Sequence, residues 1–84
     1  MREWPLALEP ERVIAACRAR GLVVRSRGAL PERPGGVRWR LGLPGRSGTL
    51  DLNRWHDRVW FSLASERAGS WAVAVAEELS RERM

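Results

Sequence analysis

Apolar residues alternate with polar ones through the middle of the chain and recur at helical spacing towards both ends. The clearest alternation is VRWRLGL, residues 37–43. There Val37, Trp39, Leu41 and Leu43 point one way and Arg38 and Arg40 the other, the two-residue period of a half-buried strand. Residues 22–27 (LVVRSR), 49–55 (TLDLNRW) and 58–64 (RVWFSLA) read as three further strands. GALPERPGG, with two prolines and paired glycines, reads as a loop, PGRSG as a turn, and His56-Asp57 as the bend of the last hairpin. Residues 9–21 (EPERVIAACRARG) predict a helix. Pro10 suits its first turn, Glu9 and Glu11 suit its positive end, Arg18 and Arg20 its negative end, and Gly21 its stop. A second helix is predicted over 70–83, where Trp71, Ala72, Val75, Ala76 and Leu79 form an apolar stripe.

The order helix, four strands, helix, joined by short connections, predicts a single α+β domain over 1–84. Its core would be a four-stranded antiparallel meander with both helices on one face. Register tests this picture. A turn at His56-Asp57 places Leu52 opposite Phe61, Arg54 opposite Val59, Asn53 opposite Trp60 and Trp55 opposite Arg58. A turn at Pro44–Ser47 places Leu41 opposite Leu50 and Trp39 opposite Leu52. Both registers gather the apolar residues on one face, as a sheet with one buried side requires. His-Asp is not a favoured two-residue turn, so a longer loop stays open here. The helices are expected over Leu22, Val24, Trp39, Leu41, Leu52 and Phe61. The other face would carry Val23, Arg25, Arg27, Arg38, Arg40, Asp51, Asn53, Trp55, Arg58 and Trp60.

Charge sharpens the picture. All 15 basic residues are arginine. With plentiful Ala, Gly and Pro, this fits GC-rich coding, and the shortage of Asn, Gln and Cys fits a thermophile. The distribution says more than the total. Residues 12–46 carry a net +8, while the segments before and after carry −2 and −1. An acid-poor stretch of that length points to an anionic partner. No run approaches the roughly 20 apolar residues of a membrane span, and no signal peptide is visible, so a soluble cytoplasmic protein without membrane association is expected.

The residues offer little chemistry of their own. His56, Asp57 and Asp51 are the one compact acid–base set, but they read as an exposed turn and a strand. Ser62, Ser65 and Ser70 lack the strand-turn-helix setting of a nucleophile. One histidine and one cysteine provide no metal-ligand spacing, so neither metal nor cofactor is expected, and Cys17 reads as a small buried hydrophobe. Trp39 and Trp71 read as core; Trp4 either packs back on the core or frays. The expectation is a binding protein, not an enzyme. Its candidate surface is Arg25, Arg27, Arg38, Arg40 and Arg58 interleaved with Trp55 and Trp60. Arginines that neutralise phosphates beside aromatics that stack bases suit single-stranded nucleic acid. Trp and Arg equally suit a protein partner or a homodimer.

Overall fold

The computed structural model describes residues 2–63 and 69–82. Ser65, the expected end of the last strand at Ala64 and the expected tail of the last helix at Arg83 lie outside them. In chain order the elements are β1 (Arg2–Leu6), α1 (Pro10–Ala19), β2 (Val23–Ala29), β3 (Val37–Gly42), β4 (Leu50–Trp55), β5 (Arg58–Leu63) and α2 (Ser70–Ser80). The class is α+β as expected, but the sheet has five strands instead of four, in the order β1-β5-β4-β3-β2, with every neighbouring pair antiparallel.

Strands β2 to β5 form the expected meander, and the β3–β4 and β4–β5 registers are those the alternation demands. Trp39 lies opposite Leu52, Leu41 opposite Leu50, Leu52 opposite Phe61, and Asn53 opposite Trp60. The last hairpin turns on His56-Asp57 alone, because Trp55 pairs directly with Arg58. His56 accommodates this tight bend with φ 57°, a left-handed conformation that histidine tolerates better than most residues.

The added strand comes from the segment before α1. β1 pairs with β5, with Trp4 opposite Phe61 and Leu6 opposite Val59. Its alternation is short but real: Trp4 is buried, while Glu3 and Pro5 are exposed. Pro5 cannot donate to a ladder, and an edge strand is where a sheet tolerates it. Trp4 therefore belongs to the core, where the sequence alone left its place open.

Between β1 and β2 the chain crosses the whole sheet, and α1 makes that crossing. Val13 and Cys17 of α1 and Trp71, Ala72, Ala76 and Leu79 of α2 share one buried cluster with Trp4, Leu41, Leu50, Leu52, Phe61 and Leu63. Both helices thus cover the same face. Arg20, near the end of α1, donates to the Glu78 carboxylate of α2 and to the Ala16 carbonyl, tying the helices together. Trp71 donates its indole N–H to the Ser47 carbonyl at 2.9 Å, fixing the start of α2 over the β3–β4 turn. Burial pushes the Cys17 thiol up to about 11, with Arg20 pulling the other way, so it stays protonated as a core side chain. No helix among the described residues is long and apolar enough to cross a membrane.

Candidate nucleic-acid interface

The face turned away from the helices is built from alternate residues of every strand. Across β5, β4 and β3 run the rows Ser62–Asp51–Arg40 and Trp60–Asn53–Arg38, with Arg58 and Trp55 at the hairpin end. Arg38, Arg40, Trp55, Arg58 and Trp60 stand together there, as their alternation requires.

β2 departs from the expected pattern. Its register slips between Val24, opposite Leu41, and Ser26, opposite Arg40, so Arg25 is the extra residue of a bulge. Every residue beyond the bulge changes side. Ser26 and Gly28 now take the open face, and Arg27 lies opposite Trp39 on the helix-covered side, its guanidinium carbon 5.7 Å from that ring centre. Arg27 therefore leaves the predicted group. Arg25 stays in it by another route. A Cβ at Gly42 would lie only 2.7 Å from the Arg25 guanidinium carbon, so this side chain fills the space that glycine leaves open.

The centre of this face is more enclosed than the sequence suggests. Asn53 is 0% exposed, Asp51 6% and Trp60 8%. Two features enclose them. Arg38 reaches over Asn53 to donate to its side-chain oxygen, and with Arg40 it flanks Asp51. The β2–β3 loop also folds over the hairpin end. Its Arg33 guanidinium carbon stands 4.9 Å from the Trp60 ring centre and 5.4 Å from that of Trp55, and the Pro34 carbonyl accepts the Trp55 indole N–H at 3.2 Å. Arg58 adds a third contact, 5.8 Å from Trp60. Trp60 is consequently not an open stacking platform, since the Arg33 guanidinium occupies the place a base would take. Arg33 is the functional candidate that sequence reasoning missed. Its only signal was a lone arginine between two prolines in a loop long enough to fold back.

A polar chain runs beneath the arginines. Arg38 donates to the Asn53 side-chain oxygen at 2.9 Å. The Asn53 amide donates in turn to the Ser62 hydroxyl at 2.9 Å and to the Trp60 carbonyl at 3.3 Å. Asp51 sits between Arg38 and Arg40, 3.8 Å from a nitrogen of each, and its buried Oδ1 accepts no hydrogen bond. Burial pushes the Asp51 carboxyl above the usual carboxylate range, and the two arginines offset that only in part. The native state therefore holds the Asp51 proton more tightly than the unfolded chain does. Stability from this group is thus present in acid and lost as pH rises through the raised value. Asp51→Asn should remove that dependence, so urea midpoints should shift in favour of the variant on going from acid to neutral pH. A difference between the two proteins that stays constant with pH would contradict this.

The acid–base residues lie apart. His56 and Asp57 are exposed at the hairpin tip, with the His56 ring 4.4 Å from that of Trp55, while Asp51 is at the other end of β4 beneath its arginines. Among the described residues no three His, Cys, Asp or Glu side chains gather as metal ligands would. No family model, curated protein or solved structure matches this chain.

Proposed function

We propose that the protein is a small binding module, with no reaction of its own, that holds single-stranded nucleic acid across the open sheet face. The observation that carries this reading is the charge of that face: Arg25, Arg33, Arg38, Arg40 and Arg58 stand against Glu3 and Asp51. A recess of about 210 Å³ beside Arg38 and Arg40, bounded by Ser26, Gly28 and Pro31, offers space for a phosphate within reach of both guanidinium groups. Arg38 and Arg40 lie two residues apart on one strand, so they contact the backbone at successive points roughly 7 Å apart. The stacking element is the Arg33–Trp55–Trp60 group. A base packs on the outer side of Arg33 or displaces it, and either contact is sequence-tolerant.

The edges of the sheet favour use of the face over edge-to-edge assembly. Pro5 interrupts one edge, and the Arg25 bulge with Arg27 and Gly28 interrupts the other, devices that discourage strand addition by a second copy. Face-to-face pairing of two copies would oppose like charges.

Anisotropy of a labelled oligo-dT of about 15 nucleotides should report binding at low salt, with log Kd rising against log salt at a slope of about 2, as for about three phosphates neutralised. Arg38→Glu with Arg40→Glu should weaken binding at least about tenfold, because two attractive contacts become repulsive. Arg33→Ala should red-shift tryptophan emission as Trp55 and Trp60 gain water. It also separates the two stacking modes, since affinity falls if the base uses Arg33 and rises if Arg33 competes. Lack of any association at low salt refutes the proposal. A stable dimer whose interface is broken by Trp60→Ala would instead assign the face to self-assembly.

A further inference from the structure

The helices do not cover their side of the sheet evenly. β1 runs towards the β4–β5 hairpin, so α1 starts beside that hairpin and leads away from it. Between the first turn of α1 and the hairpin tip lies a cleft of about 650 Å³, within the usual range for small-molecule sites. Its floor is a single row across four strands, Leu6–Val59–Arg54–Val37. Trp39, with Arg27 stacked beside it, continues that floor in the next row.

Arg54 is out of keeping with this row. It is half-buried between two valines, on the side of the sheet that elsewhere carries the core. Each ion pair among the described residues engages a different arginine, and Arg54 has no hydrogen bond, ion pair or ring contact there. An exposed arginine without a partner needs no explanation. A guanidinium half-buried on a floor of Leu6, Val37, Val59 and Trp39, beneath a polar rim, has lost part of its water and gained no partner in return, which leaves it ready to pair an oxyanion that enters. The acids of the rim, Glu9, Glu11 and Asp57, are all exposed. Water and salt screen them more than they screen Arg54, so they do not cancel its pull on one negative charge, but they do oppose anions bearing several.

We infer that this cleft is a binding site for a small apolar monocarboxylate, its carboxylate paired with Arg54 and its flat apolar body lying on Val37, Val59 and Trp39. The inference is independent of the open face, which is on the other side of the sheet.

Isothermal titration of the full chain with 2-naphthoate provides the test, with 2-naphthamide as the uncharged analogue and 2-naphthyl phosphate as the more highly charged one. Saturable one-to-one binding of naphthoate is expected, at least about tenfold weaker for the amide and also weaker for the phosphate. Arg54→Gln should lose at least about tenfold in affinity, while Arg54→Lys keeps part of it. Arg46→Gln, in the exposed β3–β4 turn away from the cleft, should bind as the parent does. Far-UV circular dichroism shows that each variant is folded. The inference is overturned if naphthoate does not saturate, if the amide binds equally well, if the phosphate binds more tightly, or if Arg54→Gln binds unchanged while folded.

Discussion

Phe61→Ala should cost about 3–5 kcal/mol, enough to bring the domain close to unfolding at ambient temperature. Phe61 is fully buried in β5 with Trp4 on one side and Leu52 on the other, and it shares its cluster with residues of both helices. It therefore joins the edge strand β1, the meander and the helical layer at one point. Trp4 and the strands are held by their ladders and cannot collapse far into the space a phenyl ring vacates, so the cavity contribution adds to the lost transfer energy. Urea unfolding followed by circular dichroism should show a much lower midpoint with an unchanged slope, since nearly the same surface is exposed on unfolding. Val23→Ala, at an exposed position of the edge strand β2, should cost less than about 0.5 kcal/mol. A loss below about 1.5 kcal/mol for Phe61→Ala would mean that sheet and helices are not organised around this residue.

The same residues show what could be read from the sequence. Phe61, Leu52, Leu50, Leu41 and Trp39 alternate with polar neighbours over short turns, and a one-residue slip would have exposed all of them, so the face each takes was determined. The partnership of Trp4 with Phe61 was not. It joins segments far apart in the chain, and Pro5 disguises the strand with a residue that argues against one until its edge position is known. The Arg25 bulge is invisible for a different reason. Inserting one residue into a strand leaves composition unchanged and alters only the side on which later residues emerge, so Arg27 moved from the open face to the cleft. The enclosure of Trp60 depends on where the β2–β3 loop folds, which alternation within strands does not encode. Sequence thus determines the arginines of the three interior strands and the face each takes, while the contributions of the edge strand and the loop arise from tertiary contacts.

Asn53→Ala is expected to cost about 2–4 kcal/mol, although the change lies on the face away from the main core. Asn53 is fully buried and makes three hydrogen bonds, one from Arg38, one to Ser62 and one to the Trp60 carbonyl. Without it, the Trp60 carbonyl and the Ser62 hydroxyl lose their donor in a place water reaches poorly, and Arg38 loses the acceptor that sets its direction. Asn53→Leu keeps the volume but leaves the same groups unmet, so it should do no better. Asn53→Asp retains an acceptor for Arg38 while turning a buried carboxylate towards the Trp60 carbonyl, so its stability should recover in part on acidification, when an O–H can donate. The decisive measurement is a double-mutant cycle with Ser62→Ala. If the two side chains act as one network, the double variant should lose less than the sum of the singles by about 0.5–2 kcal/mol. Strict additivity would dissolve the network. The cycle also bears on binding, because an Arg38 freed from Asn53 must order its guanidinium at the moment a phosphate arrives. Asn53→Ala should therefore weaken oligonucleotide binding while leaving its salt slope nearly unchanged, since no charge is removed.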